Sequence, residues 1–495
     1  MIRLLLAAAL AHFSVSAVAQ VPPKPDIVLT GSIDGADHQT YRELPFRVPT
    51  DVDAITIEFI YTGEADRTVI DLGLADPKRF RGASGGNKRR FTLSESYATP
   101  SYLPGPIIAG TWKLMLGIPN IRKSSRSEYT AEISFQRTGS PARGLNVMPL
   151  SSESRWYRGD FHAHSAHSDG NCASKAGKRV PCPLYKSIDA AAARGLDFVT
   201  MSEHNATSHH AVMVELQPYY DSLLLVPGRE LTTFFGHANM FGPTEFVDFR
   251  VGSKSVPTVN AMLGRVKALG GLVAVNHPTA PSGEICMGCG WTAADTDWSR
   301  VQAIEVVNGG LVAAFYGAVE TPLSGIPFWE ALLNQGHRLT AIGGSDNHDT
   351  ERDANKIGWP STVVFAPELS VDALLDAVRS GKVFVDIDGS RDRLVEMSAK
   401  SGSESAEMGG ELVAAAQSNM EFTVRVAGVV DGRIEVIRDG RPVVVGIEQP
   451  IRSADETRGF TIALADKASW VRVNVRAADG RLLIVGNPIY LRATR

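Results

Sequence analysis

Several familiar signatures are missing from this chain of 495 residues, and each absence excludes something. The longest basic run is Lys88-Arg89-Arg90, no aromatic ladder interleaves with it, and the formal net charge is −4. A nucleic-acid footprint is therefore lacking. The one match to G-x-S-x-G, Gly82-Ala83-Ser84-Gly85-Gly86, falls in a β-rich region without the strand-to-helix turn that a serine nucleophile of that type requires. The four cysteines include a single C-x-x-C unit, Cys286-Met287-Gly288-Cys289, where a zinc ribbon needs two. A thioredoxin-like use of that unit is the lesser reading. Beyond the first 20 residues no stretch is long and apolar enough to span a bilayer, and the two β-rich ends share no repeat.

What is present begins with "MIRLLLAAALAHFSVSAVAQ". One early Arg, an apolar stretch and Ala17-Val18-Ala19 read as a secretory signal peptide over residues 1–19, cleaved after Ala19. The stretch is too short for a membrane anchor and is broken by His12. A secreted or periplasmic location follows, and in an oxidising compartment the four cysteines are expected as disulfides. Three pairings are open. Proximity favours Cys172–Cys182 and Cys286–Cys289.

Three regions follow the leader. Residues 20–150 alternate apolar and polar side chains in short runs: Ile55, Ile57, Phe59 and Tyr61 on one face, and Tyr129, Ala131, Ile133 and Phe135 in the same way. Period two with Gly and Pro punctuation predicts an antiparallel β-sandwich. Residues 151–390 repeat a helix, a Gly and a β-branched strand, as in "PLYKSIDAAAARGLDFVTM" and "VPTVNAMLGRVKALGGLVAV". This alternation predicts an α/β fold with a parallel sheet. Residues 391–495 return to short strands. A hairpin is expected at Asp439-Gly440, and a second β-sandwich fits this stretch.

The metal-type residues of the middle region each follow a predicted strand. "RGDFHAHSAHSDG" supplies His162, His164 and Asp169; "MSEH" supplies His204; "PGRE" supplies Glu230; "HANMFG" supplies His237; "NHP" supplies His277; "GSDNH" supplies Asp346 and His348. In an α/β barrel the C-terminal strand ends share one rim, so residues nearly 190 positions apart can converge. His162 and His164, two apart on an extended segment, point to one side, and one ion can take both imidazoles. Glu230 is suited to bridge two cations, and Asp169 can swing back toward a neighbouring ion. Singly, each has a bland reading: a core His pair, an Asx turn at Asp169. Glu203 reads as a surface acid, and His209 and His210 as exposed. His12, His38 and His337 have no partners. Nine candidate ligands at successive strand ends defeat the bland reading taken together.

In order and spacing, "FHAHSAHSDG", "MSEHN", "PGRE", "HANMFG", "NHP" and "GSDNH" resemble the motifs of the PHP (polymerase and histidinol phosphatase) superfamily, over about residues 156–390. Glu203 stands where that family usually has Asp. The flanking β regions and the closing "GNPIYL" are similar to the CehA/McbA-like metallohydrolase branch. The resemblance implies a distorted (β/α)7 TIM-like barrel with two or three Mn, Zn or Fe ions. It implies His162, His164, Glu230 and Asp346 on one ion. Glu230, His237 and His277 would hold a second, and Asp169, His204 and His348 a third.

The nucleophile expected is a metal-bridged hydroxide, since bound cations lower the pKa of water. The leading expectation is an exported phosphoesterase acting on small phosphomonoesters or phosphodiesters. A carbamate or carboxylic ester hydrolase is the alternative, because a metal hydroxide attacks acyl carbon as well. A non-catalytic periplasmic binding protein is the second alternative. Arg352 and His209 are the candidate substrate contacts. A small-molecule ester is the expected partner, with no nucleic acid and no membrane span; the oligomeric state is left open.

Overall fold

The structure, a computed structural model, describes residues 24–86, 88–137, 148–284, 286, 288–352 and 355–494. The expected leader and its cleavage site lie outside the described residues.

Two four-stranded antiparallel sheets come first. One has the order Ile27–Asp34, Arg126–Arg137, Val52–Tyr61, Arg90–Ser94; the other has Thr40–Val48, Gly110–Asn120, Val69–Ala75, Phe80–Ser84. Their inner faces close on one core that includes Ile55, Ile57, Phe59, Trp112, Leu114, Ala131 and Ile133. The alternation read from the sequence is the alternation of these buried faces.

The middle is mixed α/β, rich in strands, with six α-helices among the described residues. Four of the six, Val259–Ala268, Gly309–Ala314, Gly325–Asn334 and Val371–Ser380, begin at a side-chain cap. In Val371–Ser380 the Ser370 side chain accepts from Ala373 N, Val371, Leu374, Leu375 and Val378 are buried on one stripe, and Gly381 ends the helix in the left-handed region. The next strand, Val383–Asp386, is buried throughout.

The sheet that these helices cover is not the all-parallel one expected. Phe198–Met201 pairs parallel with Arg155–Asp160 and with Leu224–Thr233, and Ala303–Asn308 pairs parallel with Leu272–Val275 and Thr340–Gly344. Gly236–Phe241, however, is antiparallel to both Leu224–Thr233 and Leu272–Val275. Only Phe234 and Phe235 separate it from the preceding strand, too few for a parallel crossover. The hairpin reverses the chain once, and the helical connection through Val259–Ala268 restores the original direction. Ser361–Ala366 likewise runs antiparallel to Arg155–Asp160. The sheet curls far enough for the segment after Arg155–Asp160 to meet the one after Thr340–Gly344. A parallel bridge joins Ala163 to Asn347, and Asp346 N donates to His162 O at 2.8 Å.

Past Val383–Asp386 the sheet continues into the last part of the chain. Leu482–Gly486 pairs with Val383–Asp386, followed by Ser469–Arg476 and Arg433–Arg438. A separate four-stranded sheet, with the order Glu404–Glu407, Leu394–Ser401, Asn419–Ala427, Asp455–Ala463, packs on it over a core in which Val363 and Phe384 join Phe422, Val424, Val473 and Ile484. Both favoured cysteine pairings are formed, Cys172–Cys182 and Cys286–Cys289.

Candidate metal centre

The nine residues named from the sequence converge where the curled sheet closes. His162 and His164 follow Arg155–Asp160 in a segment pinned on both sides. His162 N donates to buried Asp160, Ala163 N to Ser202 Oγ, and His164 N to Asn347 O. Both rings then aim inward. Each Nε2 lies 3.2 Å from Asp346 Oδ1 and 3.5 Å from a Glu230 oxygen. Asp346 and His277 sit at φ of 50° and 27°. Left-handed backbone in non-glycine residues is strained, and it persists where surrounding contacts over-determine it.

Glu230, on the Leu224–Thr233 strand, is fully buried at the centre. Its Oε1 is 3.2 Å from His237 Nδ1 and 3.3 Å from His277 Nε2, while Oε2 is 2.8 Å from His204 Nδ1. Asn276 Nδ2 donates to Oε1 at 2.8 Å. Asp169 approaches from the open side, 3.3 Å from His348 Nε2 and 3.7 Å from His204 Nε2. The residues fall into four overlapping groups: His162, His164, Asp346; His162, Glu230, His277; His204, Glu230, His237; and His164, Asp169, His204, His348. His204 therefore stands beside Glu230 as well as beside Asp169, a closer interlocking than three separate sets.

The donor set fits divalent cations. His162 Nε2, His164 Nε2, Glu230 Oε2, His277 Nδ1 and both ring nitrogens of His237 are buried with no hydrogen-bond partner. Buried polar atoms in folded proteins are nearly always partnered, so this many together is a ligand-shaped deficit. Imidazole and carboxylate without thiolate suits Zn, Mn or Fe. Burial pushes the Glu230 and Asp346 carboxyls up, yet the surrounding imidazoles hold both well below the usual carboxylate range. Burial pushes the His348 imidazole down, but Asp169 and Asp346 outweigh it and bring its pKa to about 9. His164, beside His348 and His204, is depressed to about 3, chiefly by burial. The cluster is a well for positive charge.

Other expectations are corrected. Glu203 is a fully buried acid, not a surface one. It accepts from Ser165 N, Ser165 Oγ and Ser168 Oγ at 3.1, 2.5 and 2.6 Å, and so shapes the turn leading to Asp169. His209 and His210, expected exposed, are buried as well; His209 Nε2 bonds Gly228 O at 2.8 Å, so His209 does not open toward a substrate. Arg352, the other expected substrate contact, is exposed four residues after His348. Sequence reasoning missed Glu305, 2.8 Å from His162 Nδ1. The signal was there: an acid inside the apolar strand "AIEVVN".

No protein-family model and no curated protein matches the chain. Among solved structures it is similar to a two-domain protein containing a predicted PHP-like metal-dependent phosphoesterase from Bacteroides vulgatus. Identity is 17% and the TM-score 0.37, over 71% of this chain and 99% of that one. It is also similar to a protein proposed to be a metal-dependent phosphoesterase, from Bifidobacterium adolescentis. There identity is 16% and the TM-score 0.30, over 44% of this chain and 93% of that one.

Proposed function

We propose that the chain is an exported metal-dependent hydrolase of the PHP type, built on a distorted (β/α)7 barrel of the CehA/McbA-like branch and acting on small phosphomonoesters or phosphodiesters. One observation carries the reading: eight other His and Asp side chains converge around buried Glu230, and His162 Nε2, His164 Nε2 and both ring nitrogens of His237 are buried there without a partner. His162, His164, Glu230 and Asp346 would hold one ion. Glu230, His237 and His277 would hold a second, and Asp169, His204 and His348 a third. Bound there, divalent ions supply Lewis-acid activation of water and polarisation of the ester oxygen.

The chain's own residues do the rest. Glu230 and His164 are fully buried and anchor the floor of the cluster, whereas the Asp169 side chain is 57% exposed and His348 35%. Substrate therefore enters from the Asp169 side. The buried carboxylates keep the inner imidazoles aimed at the ions and exclude bulk water from the floor.

A carbamate or carboxylic ester is the second reading, and one observation favours it. No Lys or Arg among the described residues pairs with any of the nine, and a phosphomonoester dianion gains most from such a cation. The test is turnover of a phosphomonoester, a phosphodiester and an aryl carbamate, each with Mn, Zn and Fe. Phosphoester turnover in preference to carbamate supports the first reading and the reverse order supports the second. No turnover with any metal, by protein that binds metal, identifies a binding protein.

A further inference from the structure

Three hydrogen-bond donors converge on Glu305, a carboxylate that the nine-ligand set does not include. Glu305 lies in the Ala303–Asn308 strand and is 2% exposed. Its Oε1 is 2.8 Å from His162 Nδ1, and its Oε2 accepts from His277 N at 2.9 Å and from Asn308 Nδ2 at 3.0 Å. Asn308 Nδ2 also reaches Asp346 Oδ2 at 3.2 Å. The approach is close enough to require glycine at 344, because a Cβ there would overlap both His162 Cβ and Glu305 Oε1.

We propose that Glu305 is a positioning residue that aligns ligands of both ions flanking Glu230 at once: His162 through its ring, His277 through its backbone, and Asp346 through Asn308. The proposal rests on the metal-hydrolase reading. Its logic is donor counting. A carboxylate accepts on both oxygens and donates nothing. With Nδ1–H of His162 bonded to Oε1, the ring's remaining lone pair is on Nε2, the atom that faces Asp346 and Glu230. Such carboxylate–imidazole pairs fix the tautomer and orientation of metal-ligating histidines.

Glutamine cannot reproduce this in either orientation. If its oxygen faces His162, its NH2 confronts two donors, His277 N and Asn308 Nδ2. If its oxygen faces those donors, its NH2 confronts His162 Nδ1, which must then accept, and the ring proton moves to Nε2, where it blocks ligation. A residue that only fills space has no such dependence, because glutamine has nearly the same volume; what marks a positioning role is loss of metal affinity in a variant that still folds. Aspartate keeps both acceptors on a shorter stem.

The experiment compares the parent with Glu305→Gln, Glu305→Asp and Asn308→Ser. Mn and Zn are titrated separately into metal-stripped protein, ions per chain are counted by plasma mass spectrometry, and kcat and KM are measured on the best ester. In Glu305→Gln the affinity of the Glu230-bridged pair should fall about 10–100-fold, while one ion, at the Asp169 side, is retained. The effect should appear in kcat more than in KM. Glu305→Asp should recover part of the affinity. Asn308→Ser keeps a side-chain oxygen to cap the following helix but loses the reach to Asp346, so it should weaken binding more mildly. It carries the test if the glutamine variant does not fold. Unchanged metal affinity in Glu305→Gln, or in Asn308→Ser where the former does not fold, overturns the proposal. So does a loss that Glu305→Asp shares in full. A parent that binds no metal overturns this proposal and the metal-hydrolase reading together. A parent that binds metal and hydrolyses an ester, with variants equal to it, overturns this proposal alone.

Discussion

Glu230 has five imidazoles within 3.5 Å of its two oxygens. Glu230→Gln removes the charge that opposes them, and kcat/KM should fall by about 10²–10³-fold, with bound metal lost in parallel. Near-normal turnover would refute the bridging role. Asp169→Ala should leave the floor of the cluster intact and release about one ion per chain, counted by plasma mass spectrometry beside the parent. An unchanged count would make Asp169 a turn residue only. Acid sensitivity has a separate residue-level origin. Burial depresses His209 to about 3, whereas the unfolded chain protonates that ring near the ordinary 6.5. Between these values the unfolded state binds the extra proton, so stability falls as pH drops below about 6.5 and this contribution levels off near 3. By pH 5 the loss is on the order of 2 kcal/mol. Thermal melts of His209→Asn, which keeps a donor for Gly228 O, should show a shallower acid limb; identical limbs would exclude His209. Spacing in the sequence was enough to name the nine side chains that converge. Spacing did not reveal what Glu305 and Glu203 hold, because a single buried acid carries no periodic signal and its partners come from distant segments.

At the scale of elements, the alternation of helix, Gly and strand was legible because caps and hydrophobic stripes are local. Strand direction was not. The strands on either side of Phe234-Phe235 read alike whether parallel or antiparallel, and only the two-residue connection decides. The short hairpin Asn171–Ala173 with Arg179–Pro181 matters in the same local way. Cys172–Cys182 staples it, Cys182 N donates to Gly170 O, and Asn171 N donates to His348 O. This ties the turn bearing Asp169 to the loop bearing His348. Cys172→Ser with Cys182→Ser should cost about 3 kcal/mol or less. It should speed metal dissociation from the Asp169 side before the other ions are affected. Stopped-flow release into a chelator resolves the phases, and uniform release of all ions would contradict this.

Across the whole molecule, the first sandwich closes a core of its own, whereas the last shares strands and side chains with the middle. Val385 and Val485 lie in one cluster with Ile304 and Trp329, and the Val383–Asp386 strand is paired on both edges. A fragment of residues 148–494 should therefore fold and bind metal. One of residues 24–390 should expose an unpaired strand edge and aggregate. Solubility and metal content of the two fragments check this; a soluble, metal-loaded 24–390 fragment would be the contrary result.

The paired edge at Val383–Asp386 also bears on how such a gene can be rearranged. A crossover near residue 390 would unite a middle and an end whose facing strands had never been matched in register, and a one-residue mismatch turns every side chain of the joining strand to the wrong face. Among the described residues no strand up to Arg137 pairs with one after residue 148, so a crossover between those two regions divides no described ladder. Recombination is thus expected to exchange the first sandwich readily and to transmit the remainder as one inherited block.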